Sequence, residues 1–337
     1  MYINLLFIDD PVSNPARLSG KKEKTVNKTI LGLGAMILLM ASNSRAEPRV
    51  EKNIVYGMYS GLALLMDVHY PETPNQCGVL FVAGSGWQAS LGYNSPGLKE
   101  KTSQVGLWVP PLLRAGYTVF TINHRAAPRF HYPAALKDVQ RAVRFIRHHA
   151  KDYGIDPAHI GGVAGSSGAH LVCLAAMLGA PGIADDPDPV NREPATLQCL
   201  ALRAAPIDMS KMAGNADPEG IAYVVSFMGM FPSKARAIAK IYTEASPILH
   251  VAPKAPPVLL IHGNADKTVP FQQSVAMEKA LRSVNVPVKL LCIPGGGHGP
   301  DFEAEGNPPS SWPDFLSETV RWLDRYLKPS HPDKSDN

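Results

Sequence analysis

The sequence predicts an α/β fold with a mostly parallel central sheet, helices on both faces and a small helical insertion. After residue 47, short apolar runs rich in β-forming residues alternate with longer segments of helical spacing. Strands that alternate with helices are typical of a parallel sheet that is covered on both faces. Several runs, such as residues 78–82 and 257–261, are apolar throughout, as expected of strands buried on both sides.

Each predicted element follows from local spacing and turn residues. Segment 53–69 has the pattern of two strands around a turn at Ser60 and Gly61, because serine and glycine are frequent in tight turns. Segment 134–149 places Val139, Val143 and Ile146 at helical spacing. The other predicted elements are strands at 78–82, 117–123, 160–164, 197–204, 257–261 and 288–293, a helix that ends with 112–115, and helices at 168–178, 271–282 and 312–327.

Between residues 207 and 246 the alternation of strands and helices weakens, with an apolar centre at 221–230. We interpret this stretch as a helical insertion over the sheet, because one α/β domain can contain roughly 250 residues or more. The chain of 337 residues is therefore predicted to hold a single domain at 47–328, followed by a polar tail at 329–337.

The first 46 residues have the order of a secretory signal peptide. Lysines from Lys21 to Lys28 precede a short apolar run at 30–41, and small residues surround Arg45. The apolar run is short for a stable membrane span. We therefore expect a signal peptide at 1–46, a secreted or periplasmic location, and no stable membrane insertion after cleavage. The alternatives are an uncleaved anchor, or a translation start later than Met1.

Composition and charge argue against several classes of protein. The chain is 45% hydrophobic and 18% charged, which is ordinary for a globular protein. Of the net charge of +4, residues 1–46 supply +3 (six Lys and Arg less three Asp and Glu), which leaves +1 for the rest. We therefore predict no nucleic-acid partner. The four cysteines (Cys77, Cys173, Cys199 and Cys292) lack CxxC spacing, so we predict neither a metal site nor a redox pair, and no cofactor. Each lies in or beside an apolar run, which predicts buried apolar cysteines.

The strongest chemical signal is segment 160–171, which reads IGGVAGSSGAHL. An apolar strand runs into very small residues around two serines and then into a helix. This is the pattern of a nucleophile elbow, where the neighbours of the serine are small because strand and helix pass close together. Ser166 and Ser167 each have one glycine and one alanine two positions away, so the pattern alone leaves both open.

Two later positions complete the order serine, acid, histidine along the chain. His298 follows the last predicted strand in a glycine-rich loop, from which an imidazole can reach the serine. Asp266 follows the preceding strand and is the only carboxylate in the loop 262–270. Asp208 and Asp301 are rival acids; the first follows an earlier strand, and the second is very close to His298 in sequence.

A candidate oxyanion hole follows the first central strand. Segment 83–87 reads Ala-Gly-Ser-Gly-Trp, and such small residues let the backbone approach a substrate. We predict that the N–H group of Ser85 or Gly86 and that of Ser167 bind the oxyanion if Ser166 is the nucleophile. Trp87 and the insertion are the predicted substrate-binding walls of the pocket, with a core position as the alternative for Trp87.

These segments resemble the α/β-hydrolase esterases related to hormone-sensitive lipase and to bacterial feruloyl and acetyl-xylan esterases. The resemblance covers residues 77–327. Segment 83–87 is similar to the family's His-Gly-Gly-Gly-Trp motif, and 117–128 to its strand and turn ending in YR-x-AP. Segment 262–270 is similar to its H-G-x-x-D-x-x-V-P loop, and 297–299 to its histidine loop.

The resemblance assigns roles to individual residues. When His170 and Leu171 are aligned with the last two residues of the family's G-x-S-A-G-G-H-L motif, the resemblance implies that Ser166 is the nucleophile. It implies likewise that Asp266 is the acid and His298 the general base.

The resemblance also implies an activity. We expect a serine carboxylester hydrolase that acts through an acyl-enzyme on short-chain or carbohydrate-linked esters of the acetyl or feruloyl type. The sequence departs from the family at Ala83 and Ser85 in the oxyanion motif, and at Ala164 in the elbow. The alternatives are a prolyl-oligopeptidase-like serine peptidase and a hydrolase-like binding protein without catalysis.

Overall fold

A computed structural model describes residues 49–303 and 309–329 of the chain. By internal contacts the chain divides into residues 1–46 and 47–337, and every described residue belongs to the second unit. The signal peptide at 1–46 and all but the first residue of the predicted tail lie outside the described residues, so both stay predictions. No helix within the described ranges is long and apolar enough to cross a membrane.

One sheet forms the centre of the described molecule. Its strands, in chain order, are β1 (Val50–Tyr59), β2 (Leu62–His69), β3 (Gly78–Val82), β4 (Thr118–Ile122), β5 (Ile160–Gly165), β6 (Leu200–Arg203), β7 (Val258–Gly263) and β8 (Val288–Ile293). Their order across the sheet is β1-β2-β4-β3-β5-β6-β7-β8. The β1–β2 and β2–β4 pairs are antiparallel, and the other pairs are parallel. This confirms the predicted mostly parallel sheet.

Helices cover both faces of the sheet. They are α1 (Thr102–Arg114), α2 (Ala134–His148), α3 (Ser166–Leu178), α4 (Met209–Asn215), α5 (Pro218–Met228), α6 (Arg236–Glu244), α7 (Gln272–Ser283) and α8 (Phe315–Tyr326). Helices α1 and α8 share a core with Val79 and Phe81 of β3, whereas α2, α3 and α7 pack with Leu80 and Val82. Because side chains alternate along a strand, β3 supplies both cores, which explains why it is apolar throughout.

Helices α4, α5 and α6 form the insertion that we predicted at 207–246. Their apolar residues Met212, Val224 and Tyr242 are buried in the core on the α2 and α3 side of the sheet. The N–H group of Asp217, the N-cap residue of α5, donates to the carbonyl oxygen of Lys267 at 3.1 Å. The insertion is thereby joined to the loop that follows β7.

Some boundaries differ from the prediction for local reasons. Helix α3 begins at Ser166, directly after β5, two residues earlier than predicted. Helix α8 begins at Phe315, because Asp314 is its N-cap and accepts the N–H group of Ser317 at 3.0 Å.

The cysteines Cys77, Cys173 and Cys199 are buried free thiols, as predicted, whereas Cys292 is a partly exposed free thiol and not the buried one that we predicted. Burial raises the pKa of Cys77 to about 11 and that of Cys199 to about 12. These thiols are therefore protonated at neutral pH and pack as small apolar side chains.

Candidate active site

Ser166 lies at the turn where β5 ends and α3 begins. Its backbone φ of 50° is in the left-handed region, which residues other than glycine seldom occupy. Small neighbours permit this turn, since a Cβ atom at Gly168 would lie 2.3 Å from the carbonyl oxygen of Val82. The structure thus forms an elbow around Ser166, whose side chain is partly exposed, whereas Ser167 is fully buried.

His298 lies in the loop after β8, with its ring directed at the serine. The His298 Nε2 atom is 2.9 Å from the Ser166 Oγ atom. Arg203 holds this loop, because its Nη1 atom donates to the carbonyl oxygens of His298 at 2.6 Å and of Gly299 at 2.9 Å. A side chain from the end of β6 therefore positions the imidazole through its own backbone.

Asp266 completes the chain of contacts on the far side of the imidazole. Its Oδ2 atom is 2.7 Å from the His298 Nδ1 atom, and its Oδ1 atom accepts the N–H group of Val269 at 2.8 Å. The Nε2 atom of His262 lies 3.3 Å from the same carboxylate. Burial alone would raise the pKa of Asp266, but the hydrogen bonds from His262 and His298 outweigh burial and hold that pKa well below its usual range. The carboxylate is therefore ionised at neutral pH.

The two rival acids have other partners. Asp208 is the N-cap residue of α4, and its carboxylate accepts the N–H group of Lys211 at 3.1 Å. Asp301 is exposed and accepts the N–H group of Glu303 at 3.2 Å. Within the described residues, the imidazole of His298 bonds to Asp266 and to neither rival.

The loop after β3 passes directly over the serine and is held from α1. The N–H group of Gly84 donates to Gln104 Oε1 at 2.7 Å, and its carbonyl oxygen accepts from Gln104 Nε2 at 2.9 Å. The same carbonyl accepts from Lys101 Nζ at 2.7 Å. A Cβ atom at Gly84 would lie 2.8 Å from that of Ser166, so only glycine allows this approach.

The structure corrects the prediction for Ser85. Its N–H group donates to the Ser167 Oγ atom at 2.8 Å and is therefore already engaged. The N–H groups of Gly86 and Ser167 remain as the predicted oxyanion donors, and that of Ser167 belongs to the first turn of α3, where helix N–H groups lack helical acceptors. The family motif has alanine where this chain has Ser167, so the resemblance gave no reason to expect the bond.

The structure also corrects the prediction for Trp87, which lies in the core and not in the pocket wall. Its side chain is only 2% exposed and stacks on Phe227 with 4.8 Å between ring centroids. The indole N–H group donates to His170 Nδ1 at 3.0 Å, and the other ring nitrogen, Nε2, lies 2.7 Å from the carbonyl oxygen of Ala245. Trp87 therefore joins the loop after β3 to α3 through His170 and to helix α5 of the insertion through Phe227.

A cavity of about 300 Å³ lies at the serine and is lined by Ser166, His298, Gly86, Arg203 and Tyr223, among others. Tyr223 comes from helix α5, and a Cβ atom at Gly86 would lie 2.5 Å from its ring. The insertion thus supplies a wall of this cavity, as predicted, but through Tyr223. A neighbouring cavity of about 390 Å³ shares Ser85 and Lys101 with the first.

Several polar residues of the cavity were not predicted from the sequence, among them Gln104, Lys101 and Arg203. Gln104 and Lys101 precede or begin a helix and carry no motif of their own. Arg203 had a usable signal, because a charged residue ends the otherwise apolar strand β6 at the edge where parallel sheets bind ligands.

Known proteins match this chain over most of its described length. The BD-FAE family model matches residues 66–281, a range that contains Ser166 and Asp266 and ends before His298. A truncated form of a carbohydrate esterase from gut microbiota has a similar structure, with a TM-score of 0.66 and 26% sequence identity. The match covers 82% of this chain and 95% of that one.

Two curated relatives come from Mycobacterium tuberculosis (strain ATCC 25618 / H37Rv). Esterase LipQ is 32% identical over 199 residues, which cover 57% of this chain and 45% of LipQ. The probable carboxylic ester hydrolase LipM is 29% identical over 258 residues, which cover 74% of this chain and 56% of LipM. The match thus spans about half the length of each relative.

Proposed function

The chain belongs to the BD-FAE family, and from this premise we propose that it is a serine carboxylester hydrolase acting through an acyl-enzyme. The observation that carries the proposal is the continuous chain of contacts from Ser166 through His298 to Asp266, at 2.9 Å and 2.7 Å. This is the arrangement in which an imidazole takes the proton of a serine while a buried carboxylate orients and stabilises it.

The first half of the reaction forms the acyl-enzyme. His298 Nε2 removes the proton of Ser166 Oγ as that oxygen bonds to the ester carbonyl carbon. The carbonyl oxygen becomes negative and accepts hydrogen bonds from the N–H groups of Gly86 and Ser167. The bond to the alcohol oxygen then breaks, and His298 gives its proton to the leaving alcohol.

Water completes the cycle by the same steps in reverse. His298 removes a proton from water, the hydroxide adds to the acyl carbon, and Ser166 leaves with the proton from the imidazole. Asp266 stays ionised throughout, since hydrogen bonds from His262 and His298 keep its pKa low despite burial.

We propose short-chain or carbohydrate-linked esters, of the acetyl or feruloyl type, as substrates. The gut carbohydrate esterase with a similar structure supports a sugar-linked ester. The cavity of about 300 Å³ at Ser166 suits a small acyl group, and the neighbouring cavity of about 390 Å³ offers room for a larger alcohol. The pattern at residues 1–46 supports a secreted or periplasmic location for this chemistry.

Alanine variants test the roles of the two serines and the histidine. With p-nitrophenyl acetate and butyrate, Ser166→Ala and His298→Ala should each lower kcat by about 10⁴-fold or more. Ser167→Ala should keep measurable turnover at a reduced kcat, because it loses only the bond that holds the Ser85 N–H group. Full activity in Ser166→Ala together with loss of activity in Ser167→Ala would show that Ser167, and not Ser166, is the nucleophile.

Two further measurements separate the alternatives. A fluorophosphonate probe should label the wild-type protein and leave Ser166→Ala unlabelled, whereas a non-catalytic binding protein would not react in either form. A panel of acetylated xylan, methyl ferulate and dipeptide anilides should show ester cleavage. Faster cleavage of the anilides would support the peptidase alternative.

A further inference from the structure

Arg203 is a buried cation that lines the cavity of Ser166 and His298. Its side chain is only 2% exposed. The Nη1 atom bonds to the two carbonyl oxygens of the His298 loop, but no described residue offers an acceptor to the Nε–H group. Within the described residues, no carboxylate lies within 4.0 Å of the guanidinium group. A buried arginine left without an anionic partner is unusual, because burying an unpaired charge is costly.

The unused edge of the guanidinium group lies beside the nucleophile. A Cβ atom at Gly165 would be 3.1 Å from Arg203 Nε and 3.2 Å from Nη2. Gly165 is the residue immediately before Ser166, so this edge lies next to the position where the ester is attacked. The Nε atom is shut off from solvent, whereas Nη2 is not fully buried and has no hydrogen-bond partner among the described residues, so Nη2 is the group that can reach a substrate carboxylate.

A second cation faces the same cavity. The ammonium group of Lys101 is half-buried, and its described partner is the neutral carbonyl oxygen of Gly84 at 2.7 Å. Burial and the charge of Arg203 lower the pKa of Lys101. Burial lowers the pKa of Arg203 to about 10, so the guanidinium group still carries its charge at neutral pH.

Two carboxylates also line the cavity, but they lie at its exposed rim. Glu219 is exposed and accepts the hydroxyl group of Tyr223 at 2.5 Å. Glu303 is exposed beside Gly297. Water screens such exposed charges far more strongly than it screens a buried guanidinium group. Arg203 and Lys101 thus place two positive charges on the lining of the inner cavity. The carboxylates of Asp266, bonded to His298, and of Asp301 act on Arg203 from outside that lining.

We propose, on the basis of the ester hydrolysis proposed above, that the preferred substrate carries a carboxylate near its ester bond, bound by Arg203 with Lys101 alongside. The carboxylate belongs either to the acyl part, as in a half-ester of a dicarboxylic acid, or to the alcohol part, as in an acidic sugar or hydroxy acid. Neutral acetates and butyrates lack this contact, so the enzyme hydrolyses them less efficiently.

Two matched pairs of esters test the proposal. In the first pair, p-nitrophenyl hydrogen adipate carries the carboxylate on the acyl side and p-nitrophenyl methyl adipate is its neutral partner. In the second, p-acetoxybenzoate carries it on the leaving group and methyl p-acetoxybenzoate is neutral. Each kcat/KM value is divided by the rate of that ester with hydroxide alone, which removes differences in intrinsic reactivity.

The wild-type protein should favour the charged ester of at least one pair by about tenfold or more. The pair that responds identifies the side that carries the carboxylate. Arg203→Lys and Lys101→Gln should each reduce that preference, whereas the control Arg282→Gln should keep it, since Arg282 is an exposed cation paired with Glu278. The preference is a ratio within one variant, so a general loss of activity from a displaced His298 loop cancels.

Three results would overturn the proposal. The first is hydrolysis of the neutral esters with no preference for either charged ester. The second is a preference that survives both Arg203→Lys and Lys101→Gln. The third is no hydrolysis of any ester, which would reject the proposed esterase function together with the carboxylate site. The first two results leave that function intact, so the two failures are distinguishable.

Discussion

At the scale of single residues, the candidate site depends on one left-handed backbone position and on a glycine that leaves no room for a side chain. Ser166 adopts a φ of 50° at the elbow. Two residues later, a Cβ atom at Gly168 would lie 2.3 Å from the Val82 carbonyl oxygen and 2.7 Å from that of Ala83. Both contacts are with backbone, which cannot rotate away as a flexible side chain can. Helix α3 and strand β3 are therefore as close as glycine permits.

We predict that Gly168→Ala lowers both stability and ester hydrolysis. The added methyl group should reduce the free energy of unfolding by about 1–3 kcal/mol through overpacking, and should lower kcat by shifting the loop after β3 away from Ser166. Gly106→Ala is the matched control, because a Cβ atom there meets nothing within 4 Å in helix α1. In that control the free energy of unfolding, measured with urea, should rise by about 0.5–1 kcal/mol. Wild-type stability and kcat in Gly168→Ala would contradict the close contact.

The sequence predicted some of these residues and not others, for physical reasons. Asp266 and His298 each come directly after a predicted strand. Because parallel strands end at the same edge of the sheet, the order of strands along the chain was enough to predict that these two side chains lie close together. Trp87 could not, because nothing in the sequence shows which way an indole turns after a glycine-rich segment. The role of Arg203 also escaped, since its contacts are to backbone carbonyls that no residue pattern encodes.

At the scale of elements, the loop after β3 takes its position from helix α1. The side chain of Gln104 bonds to both the N–H group and the carbonyl oxygen of Gly84. We predict that Gln104→Leu, which keeps the approximate size but loses both bonds, reduces kcat roughly 10- to 100-fold by misplacing the oxyanion donors. It should also cost about 1–3 kcal/mol of unfolding free energy, because buried polar groups lose their partners.

Gln273→Leu is the matched control for this effect. Gln273 is equally buried, and its Oε1 atom accepts the N–H groups of Ile207 and Asp208, each at 2.8 Å, at the start of the insertion. The Gln273→Leu variant should lose about as much stability as Gln104→Leu, while its kcat stays closer to the wild-type value. Equal losses of kcat in the two variants, measured with p-nitrophenyl acetate, would show that the Gln104 bonds have no special effect on catalysis.

At the scale of the whole molecule, the order of strands and helices was the most predictable property. Apolar runs such as Gly78–Val82 and Val288–Ile293 coincide with strands β3 and β8, because burial on both faces leaves a continuous signal. The insertion was predictable as helical, but its packing was not, since α4, α5 and α6 are joined by irregular turns. One of its attachments to the rest of the molecule passes through a buried residue that has no part in the proposed chemistry.

That residue is His170, whose ring connects the loop after β3, helix α3 and the end of the insertion. It accepts the Trp87 indole N–H group at Nδ1 and donates from Nε2 to the carbonyl oxygen of Ala245. Both bonds require the neutral ring, because a protonated Nδ1 would be a donor and could no longer accept the indole N–H group of Trp87. Burial accordingly lowers the pKa of His170 to about 4, against about 6.5 for an exposed histidine.

We predict from this shift that the protein loses stability as the pH falls from 6.5 toward 4. In that window the unfolded chain binds a proton at His170 and the folded protein does not, so the free energy of unfolding rises with pH. Between pH 7.5 and pH 5, His170 should lower the free energy of unfolding by about 2 kcal/mol. Most carboxylates are still ionised in this range, so they contribute little to the change. Urea unfolding of wild type and His170→Gln at both pH values measures the difference. The His170→Gln variant should be less stable than wild type at pH 7.5, but its free energy of unfolding should fall by about 2 kcal/mol less on acidification. If the two proteins instead lose the same free energy of unfolding, the acid sensitivity comes from other groups.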